Sequence, residues 1–482
     1  MDTNKLNELI LAFKDKYINE LTGLIKLKTV SAENELDVFI KASNYIRELL
    51  LNSGISDIKI INDYGKPIIF AQKIINENYK TVLLYAHYDV QPAEPLHLWN
   101  SDPFTLTIKN NIFFGRGVAD DKTLLFSIIK AIQLVNETNK ELKYNVKLIF
   151  DPSEESGSRE LFKMFNDDKK KEYYKNLLKC DTLLACDSEM NSKEQPTISV
   201  SVRGILSIEL TIFGPNKDIH SGSFGGLVGN PITEMCRLLG NIHNSDNTII
   251  IEDFYENVNC CSDNDIIGIN EDEIKSDLEV VSFDKERGFT SKQVCTIRPT
   301  FELNGIYGGH TGSGSKTIIP SFCTGKISCR LVDNQDPDEI LKKIDNHISK
   351  NIKKCFRYKL EKVENGSIAI QSDTRSDEFE KFIHLMEDEF KKKIMFDKMG
   401  GSIPIVSEFK KNLLCGIVFV GFAYNNSNCH GPNENYSIES FEKGIKILFR
   451  YLTEYIIYNF IILIRLSTLF EIRYFDDSLI YF

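Results

Sequence analysis

Three apolar runs in the first 190 residues each lead directly to a histidine or an acid. Leu83-Leu84-Tyr85 leads to His87, Leu148-Ile149-Phe150 to Glu154, and Leu183-Leu184-Ala185 to Asp187. Short apolar runs of this kind read as buried strands. Polar residues placed just beyond such strands collect along one edge of a sheet, where α/β proteins build their sites. Residues 123–136 between the runs have helical spacing, so the order predicts an α/β fold with helices around a mixed sheet.

Two more stretches carry the same residue types, Asp120-Asp121-Lys122 and Cys429-His430-Gly431. Imidazole and carboxylate suit a borderline cation such as zinc, and the absence of thiolate pairs argues against a closed structural zinc. The five stretches together predict a two-metal hydrolytic site. His87 and Asp89 are two residues apart and share one side of an extended strand end. Asp89 can thus fix the imidazole tautomer while the other ring nitrogen faces metal. Asp120-Asp121 follows Gly115-Arg116-Gly117, a turn able to present a carboxylate that bridges two ions. Glu154 and Glu155 leave a strand in different directions, so one can bind metal while the other serves as general base.

The rest of the composition narrows the class. At 482 residues the chain is too long for one ordinary core, and its 42% hydrophobic and 26% charged content is that of a globular protein. A net charge of -11 and the lack of a basic run exclude nucleic acid as an expected partner. Eleven cysteines with no C-x-x-C pair predict reduced thiols and a cytoplasmic setting. Leu6, Ile10, Phe13, Tyr17, Leu21 and Leu24 predict an amphipathic first helix rather than a signal peptide. No apolar segment reaches the roughly 18 residues of a membrane span, so no stable membrane insertion is expected.

The α/β pattern gives way near residue 198 to alternating strands at 198–202 and 208–212 and a helix from Pro231. Further strands are expected at 315–319 and 326–332, with a helix opened by Asp336-Pro337. Helical spacing resumes at 372–380. The expected organisation is a catalytic domain at 1–197 and 373–454, split by an inserted α+β domain at 198–372. A tail of unknown role occupies 455–482. Of eight histidines, His243, His347 and His384 fall in helical, polar contexts and His97 and His310 in loops. His87, His220 and His430 remain as functional candidates.

The segments Ala-His-Tyr-Asp-Val-Gln-Pro at 86–92, Gly-Arg-Gly-Val-Ala-Asp-Asp-Lys at 115–122, Glu-Glu-Ser-Gly-Ser at 154–158 and Asp-Ile-His-Ser-Gly at 218–222 resemble the dinuclear zinc metallopeptidases. That family includes cytosolic nonspecific dipeptidase, carnosinase, aminoacylase and glutamate carboxypeptidase, and the likeness spans roughly residues 5–454. It implies that Asp120 bridges two zinc ions per subunit, with Mn2+ or Co2+ as alternatives. His87 and Asp187 would complete one site, Glu155 and His430 the other, with Glu154 as base. The inserted domain at 198–372 would act as lid and dimerisation domain, and His220 would stabilise the oxyanion, often across a homodimer. Gly314–Pro320 with Thr317, Arg330, and Gly400–Pro404 with Ser402 resemble the parts that hold the substrate's free carboxylate. Arg330 brings a planar fork suited to that group, and Thr317 and Ser402 bring hydroxyl donors.

Two departures stand out: Thr123 replaces a glycine common after Asp-Asp-Lys, and Gln371-Ser372-Asp373 lacks a histidine that some dipeptidases use. The expected activity is hydrolysis, by a metal-activated water, of dipeptides or similar small amides with a free carboxylate. The alternatives are an N-acyl-amino-acid deacylase or carboxypeptidase on the same scaffold and, more remotely, a silent binding protein.

Overall fold

The computed structural model describes residues 3–455 except 34, 259–267 and 364. Residues 456–482 of the expected tail lie outside the described residues, as do Cys260 and Cys261. The first helix, α1 (Thr3–Ile25), buries Leu6, Ile10, Tyr17, Leu21 and Leu24, the stripe its spacing predicts. After α2 (Leu36–Asn52) come strands β1 (Asp57–Ile61), β2 (Ile68–Lys73) and β3 (Thr81–His87), then α3 (Lys122–Glu137), β4 (Asn145–Asp151) and β5 (Thr182–Cys186).

These strands read as continuous apolar runs because both faces are covered. Val82, Leu84 and Ala86 of β3 point into one core with α3, whereas Leu83 and Tyr85 point into a second core with Phe162 and Phe409. Every residue of β4 is buried. Helix α3 is buried all along Lys122–Val135, so it is covered on every side rather than along one stripe. Its buried Lys130 is neutralised by Glu20, with Nζ 2.5 Å from Oε2.

The chain then runs through β6 (Thr197–Val202), β7 (Gly204–Phe213), α4 (Pro231–Leu239), β8 (Glu302–Gly308), β9 (Phe322–Leu331), α5 (Pro337–Asn351) and β10 (Arg357–Lys362). Four of these strands form an antiparallel sheet in the order β8-β9-β7-β10. Strand β7 alternates buried and half-buried residues over its whole length, the signature of a sheet covered on one face. That face meets Met235 and Leu238 of α4 and Ile340, Ile344 and Ile348 of α5. Helix α5 starts as the sequence predicts, with the Asp336 side chain accepting from the Asp338 and Glu339 amides and Pro337 in the first turn.

The chain returns through α6 (Asp377–Phe390), β11 (Met395–Met399), α7 (Pro404–Leu413), β12 (Gly416–Val420) and α8 (Ile438–Thr453). Strand β11 pairs in parallel with β6, and β12 pairs in parallel with β5. The main sheet is therefore mixed, in the order β1-β2-β4-β3-β5-β12, with its last strand supplied more than 200 residues after the others.

Three local expectations are corrected. Only Ile318–Ile319 of the expected 315–319 strand is in a ladder, paired with Ile219–His220; the polar Ser315-Lys316-Thr317 segment before it has no apolar face to bury. The helix expected from 372 begins at Asp377, because Ser376 accepts from the Phe379 amide and caps it there. His243 lies beyond α4 in an isolated bridge with Ile249, not in a helix.

Leu84 of β3, fully buried in the core shared with α3 and three residues before His87, tests this packing. Leu84→Ala should cost about 2–5 kcal/mol of stability, read as an earlier urea midpoint by circular dichroism. An unchanged midpoint would contradict the two-sided burial of β3.

Candidate active site

The carboxyl ends of β3, β4 and β5 lie side by side, and each delivers polar side chains to one place. His87 is the last residue of β3 and is fully buried. Its Nε2 lies 2.7 Å from Asp120 Oδ1 and 3.8 Å from Asp187 Oδ1. Its Nδ1 is 3.2 Å from Asp89 Oδ1, so the outer ring nitrogen faces a carboxylate and the inner one faces the site. Asp89 does more than orient the ring. Its two oxygens accept the backbone amides of Glu154 (3.0 Å) and Glu155 (3.1 Å), which sets the turn that carries both glutamates.

Asp120 sits at the centre, just ahead of α3, and the peptide linking it to Asp121 is cis. One of its oxygens faces His87 and the other lies 2.9 Å from His430 Nε2. His430 in turn is 3.1 Å from Glu155 Oε2. Two sets of donors result, His87, Asp120 and Asp187 on one side and Asp120, Glu155 and His430 on the other, and the donor atoms within each set lie within 4.8 Å of one another. They share Asp120. Glu154 belongs to neither set, and its carboxylate makes no hydrogen bond to any described residue.

The electrostatics of this cluster favour a cation. Burial, with Asp187 adding to it, pushes the Glu154 carboxyl well above the usual range. Burial likewise pushes Asp187 up to about 7, with His87 opposing and Asp120 assisting. Hydrogen bonds to Asp120 and Glu155 push His430 up to about 11. Asp120 moves the other way: burial would raise it, but hydrogen bonds from His430 and His87 hold it below the ordinary carboxylate range. Carboxylates outnumber imidazoles in a space that disfavours net charge, and divalent ions resolve that imbalance. Imidazole and carboxylate donors in two sets joined by one carboxylate fit a pair of such ions.

Several contributors lie outside the residues given roles from the sequence. Asp121, buried beside the cluster, accepts the His87 amide at 3.1 Å. Gln91 Nε2 donates to Glu155 Oε2 at 2.8 Å, fixing the oxygen that faces His430. Cys429 Sγ donates to the largely buried Glu189 at 2.8 Å. Fully buried Glu434 accepts from four donors on residues 116–120. A strand-end rule could have found Asp121 and Gln91, which flank quoted ligands. Nothing marks Glu434 in its Asn-rich loop.

The remaining predicted residues lie apart from this edge: Arg330 on the second sheet, His220 and Thr317 at a separate two-stranded ladder, and Ser402 in the loop between β11 and α7. Arg330 on β9 donates from Nη1 to Ser402 Oγ at 2.8 Å, and that hydroxyl lies 3.1 Å from the Gly204 carbonyl. Ser402, in the loop between β11 and α7, thus bonds to two neighbouring strands of the second sheet, with the guanidinium half-buried beside it. His220 and Thr317 are exposed neighbours, joined by the Ser221 amide to the Thr317 carbonyl at 3.0 Å. His220 Nδ1 accepts the Gly222 amide at 2.8 Å, and no contact is described between His220 and the two donor sets.

Relatives share this architecture across nearly the whole chain. The chain is 28% identical over 479 residues to the Cys-Gly metallodipeptidase dug1 of Schizosaccharomyces pombe, covering 94% of this chain and 98% of that one. It is also 28% identical over 291 residues to the human Beta-Ala-His dipeptidase, covering 58% and 56%. Among solved structures, the di-peptidase Dug1p of Saccharomyces cerevisiae superposes with a TM-score of 0.79 at 26% identity, over 94% of this chain and 98% of that one. The M20 family metallo-carboxypeptidase Sso-CP2 of Sulfolobus solfataricus also gives 0.79, at 27% identity over 91% and 98%. The model of peptidase family M20/M25/M40 matches residues 83–454, from the strand behind His87 through the His430 loop to the end of α8. The chain is a metallopeptidase of that family.

Proposed function

We propose that the protein hydrolyses dipeptides, or similar small amides with a free carboxylate, using two zinc ions. The observation that carries this reading is Asp120, whose two oxygens face one histidine each in two donor sets, with Glu154 adjacent and bound to neither. His87, Asp120 and Asp187 would hold one ion and Asp120, Glu155 and His430 the other. Bound there, such ions polarise the scissile carbonyl and acidify the attacking water.

The residues of the chain would do the rest. Glu154, whose proton affinity is raised by burial, accepts the proton of the attacking water and returns it to the leaving amine. Asp89 holds the His87 ring and the Glu154 turn in place. Arg330, Ser402 and Thr317 would receive the substrate's carboxylate, a role supported by the guanidinium and hydroxyl already in contact. His220 would donate to the oxyanion of the tetrahedral intermediate. Because His220 is exposed on the inserted segment, that role is best met if a second copy of the chain brings its own His220 over the site. The proposed assembly is therefore a homodimer joined through residues 198–372.

The names of the relatives support dipeptides as the substrate class. The carboxypeptidase among the structural neighbours favours a second reading, removal of a C-terminal residue from longer peptides by the same site. A cytoplasmic setting is in keeping with the free thiols of all the described cysteines. No helix among the described residues is long and apolar enough to cross a membrane.

Three measurements test this. Glu154→Gln should lower kcat on a dipeptide by roughly 10²–10⁴-fold while zinc content by atomic emission stays at two per chain; near-normal turnover would remove Glu154 as base. His220→Ala should cost about 10²–10³-fold in kcat, and mixing inactive Glu154→Gln and His220→Ala subunits should restore part of the activity through mixed dimers. Failure of that complementation would place His220 within its own subunit's site or outside the reaction. Arg330→Ala should raise KM by the worth of a charge-assisted hydrogen bond, about 1.5–3 kcal/mol. It should have no such effect on a substrate amidated at its carboxyl end, and an equal loss on both substrates would break the assignment.

A further inference from the structure

Glu434 follows His430 by four residues and is fully buried, yet its side chain turns away from its own loop toward residues 116–120. Oε2 accepts from Arg116 Nη1 at 2.7 Å and the Gly117 amide at 2.8 Å; Oε1 accepts from the Ala119 amide at 2.7 Å and the Asp120 amide at 3.1 Å. Its backbone carbonyl takes the Gly115 amide at 3.1 Å. Five donors from one loop thus converge on one residue of another. Arg116, itself buried, spends its other Nη on the Pro92 carbonyl at 3.1 Å and stacks 5.4 Å from the Trp99 ring.

This arrangement has a consequence for Asp120 in particular. Residues 115–121 precede α3 without belonging to a strand or helix, and Gly117 holds a left-handed φ of 86°. Without the Glu434 carboxylate, the amides of Gly117, Ala119 and Asp120 would lose the acceptor that satisfies them. The same carboxylate fixes the span between Asp120 and His430, the two ligands whose separation defines one donor set. A buried charge is expensive unless its hydrogen bonds are complete, and here every donor comes from the segment that must present the shared ligand.

We infer that Glu434 is a positioning residue for the metal pair, holding Asp120 between His87 and His430 before any ion arrives. The inference rests on the reading of the two donor sets as metal sites. Orienting groups one step removed from the metal are worth about 10–100-fold in affinity, and Glu434 belongs to that class through the Asp120 backbone.

The test is a zinc titration of the chelator-stripped full chain against a competing chromophoric chelator, alongside the melting temperature of the stripped protein. The wild type should bind two zinc ions, and Glu434→Gln, which turns an amide donor toward the loop amides, should weaken binding by about 10–100-fold. Glu434→Asp keeps the charge but withdraws it by one methylene, and should weaken zinc as well even if Glu434→Gln fails to fold. A lowered melting temperature with unchanged zinc affinity in a folded variant would make Glu434 merely structural and overturn the inference. Absence of zinc binding by the wild type would overturn both the inference and the site reading beneath it.

Discussion

The structure is organised around an electrostatic difficulty at one sheet edge. Asp89, Asp120, Asp121, Glu155 and Asp187 gather around two imidazoles in largely buried space. Left uncompensated, so many carboxylates would repel one another and shed their charge by taking up protons. Much of what surrounds them answers that problem. Backbone amides of residues 154 and 155 point at Asp89, the His87 amide points at Asp121, and four donors point at Glu434. The fold supplies partial positive charge from its own backbone and leaves the central positions for divalent cations.

That demand explains the main sheet. Parallel strands β4, β3, β5 and β12 end on the same edge, so His87 and Asp187, 100 residues apart, arrive 3.8 Å from each other. The two cores on either side keep the edge rigid: Val82, Leu84 and Ala86 are locked by one, Leu83 and Tyr85 by the other. A side chain on a strand held from both faces has little freedom to move. Asp120 and His430, on loops, lack that support, and Glu434, four residues after His430, ties their two segments together.

The polar strand ends were legible because a fully buried strand leaves an apolar run, and an interruption by histidine or acid is conspicuous. The same holds for α5, whose Asp336-Pro337 start is a local signal that tertiary structure had no reason to override. The strand at 315–319 shrank because its polar half has no core to face. Glu434 was invisible for a different reason. An acid among asparagines looks like a solvated loop residue, and only the fold, which brings it against residues 116–120 more than 300 positions earlier, makes it buried. Side-chain burial in loops is set by long-range packing and leaves no period in the sequence.

The contacts of Ser402 with Arg330 and with the Gly204 carbonyl, both on the second sheet, tie the loop after β11 to the point where the chain passes between its two sheets. Arg203 tightens the same point, its Nε donating to the Gly400 carbonyl at 2.7 Å. From there β7 runs ten residues outward, roughly 30 Å at strand pitch, toward the segment bearing His220. The two sheets are therefore tied together at the root of β7, while each keeps its own ladder and its own core.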